Sequence, residues 1–222
     1  MFLIFDTETT GLPRNWNAPL TDVDNWPRCI QIAWQFHDND GSCLFHEDYL
    51  VVPNGFVIPY DAEKIHGIST ALALEEGIPL AEVLEKFQQA IAQCEFIGGH
   101  NVGFDLNIMG AEFLRLGDEN PLENFPIIDT CTEETATLCQ LPGGRGGKFK
   151  LPTLSELHHH LFEAPFEEAH NATADVEATT RCFFELFRKG LIRPEALKNR
   201  EDILQHLTEV LDKPVKGIGL KH

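Results

Sequence analysis

The segment that decides the fold is Phe2-Leu-Ile-Phe-Asp6-Thr-Glu8-Thr-Thr-Gly11. Its apolar opening reads as a buried strand over about residues 1–6, and residues i and i+2 of a strand share a face. Asp6 and Glu8 therefore point the same way at the end of a buried element. Two neighbouring carboxylates repel, so without a cation one must take up a proton or turn away. A divalent metal ion removes that repulsion and can serve as a catalyst. A lone Asp-x-Glu at a strand end is commonly just a solvated turn, so the later acids carry weight.

Two further acids open expected helices. Asp105 follows Gly98-Gly-His100-Asn101-Val-Gly-Phe104 and falls in the first turn of a helix over 103–116. An acid there also serves as an ordinary partner of the helix dipole. Asp175 lies in His170-Asn171-Ala-Thr-Ala-Asp175, with Asn171 as the expected N-cap and His170 just outside the helix. Four acids and a histidine suit a site for two divalent ions, which prefer oxygen ligands. Such ions sit roughly 3.5–4 Å apart and stabilise both oxygens of an in-line phosphodiester displacement. A histidine of ordinary pKa, about 6.5, can accept a water proton near neutrality.

Between these segments the pattern reads as α/β. Strands are expected over 28–37 and 43–52, joined by a turn at Asp38-Asn-Asp-Gly41. An amphipathic helix is expected over 79–94, with short strands at 96–99 and 126–129. Helices follow over 130–141, 153–161 (Thr153 capping, Glu156 three residues on) and 171–189, with one more from Pro194 to about 211. Three antiparallel strands followed by strand–helix alternation predict a mixed sheet with helices on both faces. Residues 1–190 are read as one domain and 191–222 as a C-terminal helical extension, its tail from 212 flexible.

The 222 residues carry 17 basic against 35 acidic side chains, a net charge of −18. That balance argues against a passive, charge-driven nucleic-acid coat. It leaves room for an enzyme that meets phosphate through metal ions and backbone N–H groups. The six cysteines form no Cys-x-x-Cys pair and read as reduced, mostly buried thiols of a cytoplasmic protein. No membrane span or signal peptide is expected. His158, His159 and His160 fan around a helix and are not read as a metal patch. The loop Gly143-Gly-Arg-Gly-Gly-Lys-Phe-Lys150 lacks a P-loop ending, and Arg145, Lys148 and Lys150 are either a cationic lip or a solvated loop. Residues 11–27, with Trp16 and Trp26, read as an ordered insertion beside the first acids.

Asp-x-Glu-Thr-Thr-Gly, His-Asn-x-x-Phe-Asp and His-Asn-Ala-x-x-Asp together resemble the three motifs of the DnaQ-like 3′–5′ exonucleases of DEDDh type, which have the ribonuclease H-like fold. Ile65-His66-Gly67-Ile68 and Ile128-Asp129-Thr130 resemble two further elements of that family. The resemblance implies a five-stranded sheet and two ions, Mg2+ or Mn2+. It gives Asp6, Glu8 and Asp175 to the tighter ion, with Asp6 bridging, Asp105 completing the second site and His170 as general base. The backbone of Thr9, Thr10, Gly11 and Leu12 would hold the 3′-terminal nucleotide, with Leu12 wedged against its base. Asn101 and Phe104 would line the strand's path, and His66 would meet a phosphate.

The expected reaction is release of nucleoside 5′-monophosphates from the 3′ end of single-stranded nucleic acid, DNA ahead of RNA. A polymerase or another replication or repair protein is a candidate partner; the oligomeric state is open. The alternatives are an RNA-processing or oligonucleotide-trimming nuclease, a non-catalytic binding module of the same fold, and an unrelated metal phosphohydrolase of small nucleotides.

Overall fold

The computed structural model describes residues 1–164 and 171–211. Five strands, β1 (Phe2–Thr9), β2 (Cys29–His37), β3 (Cys43–Leu50), β4 (Phe96–Gly99) and β5 (Ile127–Asp129), form one sheet in the order β3-β2-β1-β4-β5. β1 to β3 pair antiparallel, whereas β4 and β5 run parallel to β1. The helices are α1 (Tyr60–His66), α2 (Thr70–Glu76), α3 (Leu80–Ile91), α4 (Gly103–Leu116), α5 (Glu133–Cys139), α6 (Leu154–Phe162), α7 (Ala172–Arg188) and α8 (Glu201–Leu211). This is the mixed α/β sheet with helices on both faces that the sequence predicts.

Strand alternation divides the core in two. Leu3 and Phe5 of β1 join Trp34 and Phe36 of β2, and α3 and α4 cover them through Val83, Phe87, Ile108 and Phe113. Phe2 and Ile4 face the other way, against Leu157 of α6, Phe183 and Leu186 of α7, and Ile203 and Leu207 of α8. Phe183 lies 5.6 Å from Phe2 ring to ring, within the range of favourable edge contacts. A Cβ on Gly98 would stand 2.9 Å from that same Phe183 ring, so the bare backbone of β4 lets α7 sit close. Residues after α7 add Ile192 and Leu197 to the same core.

Local signals place the elements. Thr153 and Glu156 form the reciprocal capping box that opens α6. Thr132 does the same with Thr135, so α5 starts at Glu133 rather than at 130. Asp38 accepts from the backbone N–H groups of Asp40 and Ser42, and Gly41 takes a φ of 79°, closing the β2–β3 turn. β1 runs on to Thr9, three residues past the expected end, because β2 continues to pair with its polar half (Glu8 opposite Gln31, Thr9 opposite Cys29). All six cysteines are free, but only Cys29 and Cys182 are fully buried; the other four are half-buried at helix ends, turns or the edge strand. Among the described residues no helix is long and apolar enough to cross a membrane. The tail from 212 lies outside the described residues.

Candidate active site

The two-residue period of β1 sorts the site as it sorts the core. Asp6 and Glu8 continue the Phe2/Ile4 face and look toward α7; Thr7 continues the Leu3/Phe5 face and looks toward α4. Asp175, one turn into α7, meets the first pair. Carboxylate oxygens of Asp6, Glu8 and Asp175 all lie within 4.8 Å of one another. Asp105 of α4 meets Thr7: its Oδ1 accepts from the Thr7 N–H at 3.0 Å and the Thr7 hydroxyl at 2.6 Å. Because β4 runs parallel beside β1, α4 begins next to the acid-bearing end of β1.

The acids are strongly perturbed. Burial first, then Asp105, Asp175 and Glu8, push the Asp6 carboxyl well above its ordinary value. Burial, with Asp175 and Asp105 behind it, raises Glu8 to about 8. Burial also carries Asp105 up to about 7 against the opposing hydrogen bonds from Thr7. Asp6 and Glu8 have no ion-pair partner among the described residues. Three convergent oxygen donors, of which Asp6 and Glu8 resist ionisation alone, are what a hard divalent cation needs and relieves. The residues therefore fit a metal ion.

Several residues not marked as functional in the sequence hold this arrangement. The Asn171 side chain accepts from the N–H groups of Thr173 and Ala174, capping α7. Gln31 of β2 reaches under the same turn: its Oε1 accepts from the Ala172 N–H at 3.3 Å, and its Nε2 donates to Asp48 at 2.9 Å. Asp48 also accepts from the Thr173 hydroxyl. Small residues, Ala33 opposite Asp6 and Ala172, let α7 approach the strand. Asp129 at the end of β5 accepts from the backbone N–H groups of Asn101, Val102 and Cys131. It thereby fixes the tight turn before α4, where Asn101 holds a φ of 58°. His100 in that turn contacts the Thr130 hydroxyl at 2.9 Å and the Pro152 carbonyl at 3.0 Å.

The segment after β1 is shaped by its own side chains. The Thr9 hydroxyl donates to the Gly11 carbonyl at 2.7 Å, and the Thr10 hydroxyl accepts from the Arg28 N–H at 2.9 Å. Gly11 has a φ of 141°, which an L residue rarely adopts. Leu12 stands 73% exposed just beyond it. His66 is buried next to this segment: its Nδ1 accepts from the Ile68 N–H, while its buried Nε2 has no hydrogen-bond partner among the described residues, although the Thr9 backbone lies near enough to oppose the lowering of its pKa by burial. Asn101 is exposed and Phe104 half-buried at the rim. His170 lies outside the described residues. In the glycine-rich loop, Lys148 is paired with Glu133 and Lys150 with Glu156, so two of its three cations are taken up by local acids.

A mixed sheet of this order, with clustered acids at the end of its central strand, is the ribonuclease H-like fold. The family model for exonucleases of the RNase T type matches residues 3–183. The chain belongs to that family, the DnaQ-like exonucleases of DEDDh type in the ribonuclease H-like superfamily. The PolC-type DNA polymerase III of Streptococcus thermophilus is 28% identical over all of this chain, which covers 13% of that protein. A DNA polymerase III subunit epsilon-like protein of Rhodobacter capsulatus is 28% identical over 83% of this chain and 23% of its own length. The E. coli Exonuclease I structure in complex with a dA16 oligonucleotide superposes with a TM-score of 0.63 at 21% identity, covering 92% of this chain and 42% of that one. The chain thus spans less than half of each of these relatives.

Proposed function

We propose that the chain is a metal-dependent 3′–5′ exonuclease that hydrolyses the terminal phosphodiester of single-stranded DNA and releases nucleoside 5′-monophosphates. The observation that carries this reading is the convergence of Asp6, Glu8 and Asp175 within 4.8 Å, with Asp105 anchored on the intervening Thr7. Asp6, Glu8 and Asp175 would hold the tighter of two divalent ions, Mg2+ or Mn2+, and Asp6 with Asp105 would hold the second. Bound there, the ions would supply positive charge to the attacking and leaving oxygens of the phosphodiester. His170, next to the Asn171 cap in sequence, takes the proton from the attacking water. The Thr9–Leu12 backbone seats the terminal nucleotide, and exposed Leu12 presses on its base. His66, with its unpartnered Nε2 beside Thr9, offers a donor to a phosphate oxygen.

DNA is favoured over RNA by the kinship with DNA polymerase III proteins, which also favours a role beside a polymerase. The Exonuclease I complex with dA16 supports a single strand as the substrate. The test is a panel of 5′-labelled single-stranded DNA, duplex DNA and RNA with Mg2+ or Mn2+, a chelator control and the His170→Ala variant. Stepwise shortening of the single-stranded DNA from its 3′ end, abolished by chelator and by the variant, is the expected result. Cleavage starting at internal positions, or none with either metal, contradicts it.

A further inference from the structure

The 11–27 segment contains two tryptophans with opposite fates. Trp26 is buried, 4% exposed, with its indole N–H directed at the Pro19 carbonyl at 3.4 Å. Trp16 is 57% exposed, yet its ring is not loose. It lies 5.8 Å from the Phe104 ring, centroid to centroid, at 47°. The backbone around it is clamped: the Asn15 N–H donates to the Asn25 side chain at 2.8 Å, and Asn25 returns a bond to the Asn15 carbonyl at 2.9 Å. Arg14 on one side donates its N–H to the Asn25 carbonyl, and Asn17 on the other donates its N–H to the Asn15 side chain. Arg115 of α4 fixes the far end of the segment by donating to the carbonyls of Val23 and Trp26. A large, solvent-facing aromatic held on both sides is a pre-organised surface rather than a hydrophobic anchor.

Its placement gives it a use. Phe104 is the neighbour of Asp105, and Leu12 lies four residues before Trp16. With a net charge of −18 the protein cannot retain a polyanion by diffuse attraction, whereas stacking on a base face is indifferent to charge. We infer that Trp16, backed by Phe104, is a stacking platform for a base upstream of the 3′-terminal nucleotide, and that it sets how tightly single strands longer than a nucleotide are held. This rests on the exonuclease reading above and adds a binding residue to it.

The test measures strand binding and turnover separately, in the full chain. Trp26 and Trp34 are buried, so Trp16 dominates any quenching of intrinsic fluorescence by oligo(dT) added with Ca2+ in place of a catalytic ion. Quenching is expected in the wild type and its loss in Trp16→Phe, which should nonetheless keep most of the affinity. Trp16→Ala should raise KM for a single-stranded oligonucleotide roughly 5- to 150-fold, the range of one base–aromatic stack, with kcat changed by less than KM. An abasic residue placed second or third from the 3′ end should weaken the wild type and leave Trp16→Ala little further affected. If the wild type shortens oligonucleotides but Trp16→Ala matches its KM and abasic sensitivity, the platform is refuted while the exonuclease survives. Quenching that depends on Trp16, without shortening of any oligonucleotide, keeps the platform and refutes the exonuclease. Absence of both refutes both.

Discussion

Glu112, fully buried, and Asp6, half-buried, are acids on elements that flank the same corner of the sheet, but their surroundings differ. Glu112, with no exposed surface, accepts from Arg28 Nε at 3.0 Å and from the Cys29 N–H at 2.8 Å, and Arg115 lies 3.1 Å away. Two guanidiniums thus answer one carboxylate, and the group ties the start of β2 and the 11–27 segment to α4. Asp6 instead faces other acids, and burial first, then those neighbours, hold its carboxyl well above the usual range. A buried charge with its partners in place is part of the scaffold; carboxylates that mainly oppose one another must take up protons or a cation from outside.

Substitutions can break the comparison from either side. Asp6→Asn should lower kcat by at least about 10²–10³-fold, the scale of losing one charge-stabilising group in an active site. The metal-free variant should melt no lower than the wild type, because a repulsion has been removed; activity assays and thermal melts check both halves. Glu112→Ala should do the reverse. It strands two partly buried cations, at a cost of about 1–3 kcal/mol, or a Tm lower by about 2–4 °C per kcal/mol, while the folded fraction keeps more activity than Asp6→Asn. Calorimetric scans with parallel turnover measurements would expose any exchange of these two phenotypes. Asp48→Ala frees Gln31 and Thr173 at the start of α7, and should cost about 1 kcal/mol of stability and lower kcat more than KM is raised, by shifting Asp175.

The smallest effects concern pH. Glu8 at about 8 and Asp105 at about 7 stay protonated in the folded, metal-free protein at pH values where the unfolded chain has ionised them. The folded state binds more protons, so metal-free stability rises as pH falls from about 8 toward 6.5. His37 and His100, each lowered to about 4 by burial, act with the opposite sign. Their contribution is whole above about 6.5 and is lost as pH falls toward 4. Urea denaturation in EDTA at pH 8, 6.5 and 5 should show the first slope, and Mg2+ should flatten it. The Glu8→Gln variant should lack part of it.

The local signals were legible in the sequence. α4 has its expected limits because Leu106, Met109, Phe113 and Leu116 recur at helical spacing between the turn at Gly103 and the Gly117 stop, which holds a φ of 84°. Thr153 with Glu156, and Asn171, announced helix starts through chemistry confined to a few residues. The end of β1 was not legible, because a polar run within a strand is indistinguishable from a turn until its partner strand is known. Gln31, Asp48 and the pair Arg28–Glu112 went unmarked for the same reason: their meaning lies in contacts across 17 to 141 positions of chain. The convergence of Asp6 and Glu8 with Asp175 could be anticipated only through the three motifs taken together, and the grip of Asp105 on Thr7 followed from no pattern in either segment.

The most direct test is Mn2+ binding to the folded protein, by isothermal titration calorimetry, in the wild type, Glu8→Gln, Asp175→Asn and Glu112→Gln. Saturable binding that is lost or weakened at least tenfold in the two cluster variants, and kept in Glu112→Gln wherever that variant is folded, is the predicted result. A folded wild type that takes up no Mn2+ at millimolar concentrations, or cluster variants that bind it as tightly as the wild type, would contradict the account.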